Sequence, residues 1–117
     1  MAFRFEDLLV WQKAIELNDQ INLLCKSFPK DELFILTSQI KRASDSVVLN
    51  IAEGSTGQTK PVFKTFLNYA LRSGIEVVSC LIMARRRDYI ADLRFKQLYD
   101  DHEVLVKMIT ALRNSLD

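Results

Sequence analysis

Apolar residues recur along this chain at alternating spacings of three and four, in four blocks. The first runs Val10, Ala14, Leu17, Ile21, Leu24 and Phe28. The second runs Leu36, Ile40, Ala43, Val47 and Ile51. The third, the most regular, runs Phe63, Leu67, Ala70, Gly74, Val77, Leu81 and Ala84. The fourth runs Phe95, Leu98, His102, Leu105, Ile109, Leu112 and Leu116. Side chains three and four positions apart share one face of a helix, so each block predicts a helix burying one stripe. No segment alternates with period two for long enough to propose a strand.

The punctuation between blocks sets the boundaries. Glu6 and Asp7 suit a helix N-terminus, and Pro29 pushes the residue before it out of helical geometry. Asp31 and Glu32 open the second block, and Gly54 with Gly57 supply its stop. Thr59 is a plausible N-cap with Pro61 in the following turn. The break at Asp88-Tyr89-Ile90 has no Gly or Pro and is placed by Arg85, Arg86 and Arg87 before it and Asp92 after it. Gly74 lies on the third stripe, where it predicts close helix approach. The expected helices are 6–28, 31–55, 59–87 and 92–116. Connections of two to five residues make neighbours antiparallel. The fold class is therefore all-α, an antiparallel up-down-up-down four-helix bundle in one domain over 1–117. Its length is roughly 33–42 Å at 1.5 Å per residue.

The stretch from Leu36 to Gly54 does not read as an ordinary surface helix. Its charges are few: Lys41, Arg42, Asp45 and Glu53. Beside the apolar stripe runs a second strip of Gln39, Arg42, Ser46, Asn50 and Glu53, which also holds Ile35 and Leu49. Mixed apolar and polar strips suit protein contacts. Ile35, Ser46, Leu49, Asn50 and Glu53 are the candidate oligomer interface. Antiparallel pairing also brings Gln39 and Arg42 level with Ser73 and Glu76, and Glu76 level with His102. Asn18 and Asn22 reach the same height. These positions predict a polar layer in mid-bundle, formed by Gln39, Arg42, Ser73, Glu76 and His102, with Arg42 and Glu76 as an ion pair.

Composition narrows the function. Of 117 residues, 49% are hydrophobic and 26% charged, which is ordinary for a folded soluble protein. Sixteen basic and fifteen acidic residues leave a net charge of +1, which argues against strong nonspecific nucleic-acid binding. A local patch stays open: Arg85, Arg86, Arg87, Arg94 and Lys96 are possible phosphate contacts gathered at one bundle end, and helix-end charge complementation is the simpler reading of them. A di-iron bundle needs two Glu-x-x-His motifs, and the chain has one His. Gly54-Ser55-Thr56-Gly57 lacks the spacing and lysine of a phosphate loop. Cys25 and Cys80 have no metal spacing and read as core residues in a reducing compartment. No metal, cofactor or catalytic residue is expected. A secretory signal pattern is missing at the N-terminus, and no apolar run approaches the ~20 residues of a membrane span. The expectation is cytoplasmic.

Several strings resemble a known family. They are Phe5-Glu6-Asp7-Leu8 with Val10-Trp11-Gln12-Lys13-Ala14, then Phe28-Pro29, Glu32-Leu33 and Leu36-Thr37. The most specific are Gln39-Ile40-Lys41-Arg42-Ala43 with Ser46, and Asn50-Ile51-Ala52-Glu53-Gly54. Phe66-Leu67, Ala70, Ser73, Glu76, Ala84-Arg85-Arg86 and Tyr89-Ile90 continue the likeness. The chain resembles the bacterial four-helix-bundle protein family, also called the ribosomal-RNA intervening-sequence protein family. The resemblance implies a bundle that assembles into a ring, often a homopentamer, with no assigned reaction. Similar accessory proteins of diversity-generating retroelements are strongly basic rings that bind nucleic acid with a reverse transcriptase. The first expectation is thus a non-enzymatic homo-oligomeric scaffold or adaptor, with RNA or a ribonucleoprotein as a partner to test. The second is a nucleic-acid-binding accessory protein. The third, an enzyme pocket joining Arg42, Glu76 and His102, is the weakest.

Overall fold

A computed structural model describes residues 2–57 and 59–117. Among them are four α-helices and no strand: α1 Leu9–Cys25, α2 Leu36–Gly54, α3 Lys60–Arg86 and α4 Asp92–Ser115. Short 3-10 turns occupy Arg4–Asp7 and Lys30–Glu32. Contacts run α1 to α2, α2 to α3, α3 to α4 and back from α4 to α1. Neighbours are antiparallel, because the contacting residues rise on one helix as they fall on the next. Ser46 meets Ser73 and Gly54 meets Phe63 and Phe66 across α2 and α3. Asn68 meets Arg113 and Arg85 meets Asp92 across α3 and α4. Lys13 meets Asp101 and Gln20 meets Arg94 across α1 and α4. The bundle measures 43 × 23 × 22 Å.

The four predicted stripes are buried almost residue for residue. Ile21, Ile40, Ile51, Leu67, Ala70, Val77, Leu81, Leu98 and Ile109 are fully enclosed. The core is nevertheless in two apolar halves. One holds Ile21, Leu24, Ile40, Val77, Leu81 and Leu98, and the other Val10, Leu17, Val47, Ile51, Leu67 and Ile109. Asn18, Ser44, Gly74 and His102 stand between the halves, one on each helix.

Both N-terminal starts come later than expected. Leu8 is extended (φ −80°, ψ 123°), so α1 begins at Leu9 instead of residue 6. Glu6 serves the turn before it, accepting from the Phe3 N–H at 3.2 Å. Ile35 lies outside helical geometry (φ −121°, ψ −100°), so α2 begins at Leu36 instead of residue 31. Glu32 lies before α2, and its interaction with the Leu36 N–H at the helix start is the least of its contacts. Its side chain is buried and accepts from Arg87 Nη1 and the Tyr89 hydroxyl, both at 2.8 Å. Those two bonds, the hydroxyl foremost, hold its carboxyl below the usual range against the opposing effect of desolvation. The third helix has the expected cap, with Thr59 Oγ1 accepting from the Val62 N–H at 3.4 Å.

The turn after α3 solves its missing glycine with aspartate. Asp88 is left-handed at φ 60°. Its N–H donates to the Arg85 carbonyl and the Tyr89 N–H donates to the Ala84 carbonyl, both at 2.9 Å. This is the Schellman arrangement usually closed by Gly. Aspartate tolerates the conformation better than most side chains but not freely. Asp88→Gly is expected to raise stability by about 0.5–1 kcal/mol, read as a higher urea midpoint with an unchanged slope.

Gly54 and Gly57 divide the work assigned to them jointly. Gly57 takes the left-handed turn conformation at φ 83°. Gly54 is the last residue of α2 and lies against Phe63 and Phe66 of α3. Finally, α3 is long and apolar enough by composition to cross a membrane. Its Phe63-to-Ala84 stripe packs inside the bundle, while Ile75 and Ile82 of the same helix are exposed.

Candidate interaction surface

The mid-bundle polar layer is built from different residues than those expected. Gln39, Arg42 and Glu76 are exposed, and among the described residues no hydrogen bond or ion pair joins Arg42 to Glu76. The reason is rotational. Ile40, Ala43 and Val47 take the inward positions of α2, and Gly74 and Val77 those of α3, so the polar residues at the same height point outward. Ser73 does bridge the helices, donating to Ser46 Oγ at 2.9 Å. The buried connection lies instead between α1 and α2. Asn18 Nδ2 donates to Ser44 Oγ at 3.0 Å and to Asp45 Oδ1 at 2.8 Å. Asn22 Nδ2 donates back to the Asn18 carbonyl at 2.9 Å. Ser44 follows the seam residue Ala43, and that adjacency was its only signal in the sequence.

His102 is buried, 2% exposed, on the seam of α4. Its Nδ1 lies 2.7 Å from the Leu98 carbonyl oxygen. A carbonyl only accepts, so the neutral ring carries its proton on Nδ1. Burial lowers its pKa. The Leu98 bond and Asp101 oppose this, and Lys13 adds to it. The sign for stability follows. An unfolded chain takes up a proton near the ordinary value of 6.5, whereas the folded chain resists until lower pH. The unfolded state then binds more protons, so stability is full above about 6.5 and declines as pH falls below it. Denaturant midpoints between pH 7.5 and 5 should show this decline, and His102→Gln should remove the part due to the imidazole.

The cysteines are buried core residues. Burial raises both thiols, that of Cys80 to about 11, so neither is a ready nucleophile. Among the described residues no group of His, Cys, Asp and Glu is arranged to hold a metal ion.

Four of the five proposed phosphate contacts already have partners. Arg85 Nε donates to Asp92 at 3.0 Å, Arg87 to Glu32, Arg94 Nη1 to Gln20 at 3.4 Å, and Lys96 Nζ to Asp100 at 2.8 Å. Arg86 is exposed, and no partner is found for it among the described residues. The sequence did not reveal the aromatic floor beneath this end. The Arg85 guanidinium lies 4.8 Å over the Phe95 ring, and Tyr99 follows Phe95 at 5.7 Å between centroids. These residues with Ile82, Arg86, Asp88 and Asp92 line a cleft of about 570 Å³. Two aspartates in its wall offset the two arginines.

The α2 strip faces outward along the bundle. Ile35 is 62% exposed and Leu49 57% exposed. Glu53 is exposed, while Ser46 and Asn50 are half-buried and tied together, Asn50 Nδ2 donating to Ser46 Oγ at 2.9 Å. Leu33 and Phe34, also exposed, extend its apolar start. Their signal was present in the sequence as a run of four apolar residues, Leu33 to Leu36, more than one helix face can bury.

The chain is a four-helix bundle with a split core and one outward mixed strip on α2. The model of the 23S rRNA-intervening sequence protein family matches residues 6–111. The chain belongs to that family. It is similar to a solved structure from Bacteroides thetaiotaomicron VPI-5482, a protein of unknown function from the S23 ribosomal protein family. The two are 25% identical and superpose with a TM-score of 0.83, covering 90% of this chain and 98% of that one. Comparison with curated proteins returned no match.

Proposed function

We propose that this protein is a non-enzymatic, homo-oligomeric helical scaffold or adaptor, assembled as a ring of five copies and working in the cytoplasm with RNA or a ribonucleoprotein. The observation that carries the reading is the outward strip of α2. Leu49 on α2 and Ile35 just before it expose more than half their surface, beside a helix whose inner face is already satisfied. Beside Leu49, Ser46 and Asn50 are held in fixed geometry, which suits a contact that needs register. The family's description supports a setting near ribosomal RNA. Partner binding would then use the assembled ring, because a single chain with net charge +1 presents little field to a phosphate backbone.

Light scattering on wild type and on an Ile35→Ser, Leu49→Ser double variant tests the strip. Wild type should give a multiple of the chain mass, and the variant should dissociate while keeping its helical spectrum. The second reading, a nucleic-acid-binding accessory protein, draws on the Arg85–Phe95–Tyr99 cleft, where a cation and rings lie together. Mobility titration against RNA and DNA at two salt concentrations separates the readings. Micromolar binding that weakens steeply with salt favours the second, and weak binding at both favours the first.

A further inference from the structure

A cavity of about 630 Å³ lies at the other end of the bundle from the Arg85–Phe95 cleft. Residues 2–5 form one wall, and the last turn of α2 with residues 55–57 forms the other. Its volume falls in the range of small-ligand sites, roughly 300–1,000 Å³.

Both walls are held by short-range bonds. The Phe3 N–H donates to Glu6 Oε1 at 3.2 Å, and the Glu6 N–H donates to the Phe3 carbonyl at 3.1 Å. The Phe3 ring stacks on Phe5 at 5.9 Å between centroids, and Phe5 leans on Trp11 at 4.8 Å. Across the cavity the buried Ser55 donates from Oγ to the Ala52 carbonyl at 2.8 Å. Thr56 Oγ1 donates to the Glu53 carbonyl at 2.9 Å.

Three features of the lining favour positive charge. Glu53 is exposed, and its carboxylate has no partner among the described residues. It lies in the last turn of α2, where a helix carries negative partial charge and this one has no basic residue. Phe3 is 65% exposed, and an aromatic face attracts cations. Arg4 is the only basic residue among the described lining residues. Its guanidinium lies 5.5 Å over the ring of Phe63, which is outside the lining, so that charge is turned away from the cavity.

We propose that this cavity binds a small organic cation, an ammonium or guanidinium group carried on an aromatic or aliphatic body. The apolar body packs against Phe3, Phe5 and Ala52, and the cationic head lies at Glu53 beside the end of α2. An anion is the poorer ligand, because its charge would meet Glu53 and the negative end of the helix. A neutral apolar molecule would touch the same walls but gain nothing from Glu53. All the described lining belongs to one chain, so the site does not depend on the homo-oligomer reading above.

A charge series on one ring tests the assignment. Benzylammonium, benzyl alcohol and phenylacetate are titrated into the full chain and followed by the backbone amide shifts of residues 2–5 and 52–57. Wild type is expected to bind benzylammonium most tightly and phenylacetate least, with shifts concentrated at these residues. Glu53→Gln should weaken benzylammonium by about threefold and leave benzyl alcohol unchanged. Phe3→Leu keeps apolar bulk without the ring face, and should weaken benzylammonium by about threefold, more than it weakens benzyl alcohol. Both positions are exposed, so the fold should stand, with circular dichroism as the check. Benzyl alcohol binding as tightly as benzylammonium, or a preference for the cation that survives Glu53→Gln intact, overturns the cation assignment. Phenylacetate binding tightest overturns it too and gives the cavity to Arg4. Shifts at none of these residues with any of the three probes would mean that the cavity takes no such ligand.

Discussion

Gly54→Ala is expected to lower stability by about 1–3 kcal/mol, the usual range for forcing extra volume into a packed contact. Alanine in a helix normally gains up to about 1 kcal/mol over glycine, so the sign is informative. The reason is the approach of α3. A Cβ on Gly54 would fall 2.7 Å from Phe66 Cβ and 2.9 Å from Phe63 Cδ1. The phenylalanine Cβ is fixed to the α3 backbone and moves only if the helix moves. Gly74→Ala is the control. Its Cβ would meet Val106 and Val47 at ordinary contact distances. The propensity gain should therefore prevail there, and stability should rise by up to about 1 kcal/mol. Urea midpoints at one fixed protein concentration read both, since any assembly also contributes to apparent stability. A harmless Gly54→Ala would show that α2 and α3 are not in close contact there.

Asn18→Leu is the second large effect, a loss of about 1–3 kcal/mol. Removing the amide strips Ser44 of its donor and leaves the hydroxyl buried between two apolar core halves. The pair should be coupled. In a double-mutant cycle with Ser44→Ala, the combined loss should fall short of the sum of the two single losses by at least about 0.5 kcal/mol. Simple additivity would mean that Asn18 acts through its Asp45 bond instead.

The fold was legible because seam periodicity is a strong signal in a chain this uniform. Every seam residue from Leu36 to Ile51, and from Phe63 to Ala84, is buried. Helix starts were less legible, because Glu6 and Glu32 precede their helices: Glu6 bonds Phe3, and Glu32 binds Tyr89 and Arg87 foremost, with the Leu36 N–H a lesser contact. Heights came out about a turn off: Ser73, expected level with Gln39 and Arg42, bonds Ser46, and Asn18 bonds Ser44. Facing failed outright. Gln39, Arg42 and Glu76 point to solvent, and Asn18 and Ser44 supply the buried bond. Height depends only on loop position, whereas facing depends on rotation about each helix axis, which a small turn can reverse. Likewise Arg85 and Phe95 are ten residues apart, and only the Asp88 turn folds one over the other. The outward strip was legible for a different reason. Leu49 lies well over a third of a turn from the seam, too far round for the core to reach, and Ile35 precedes the helix.

Native mass spectrometry of the wild-type protein tests the ring most directly. One chain has a mass of 13.5 kDa, and a ring of five copies gives five times that. The fivefold species is expected at micromolar concentration, with strip variants reduced to the mass of one chain. A wild-type protein found only at 13.5 kDa across that range would contradict it.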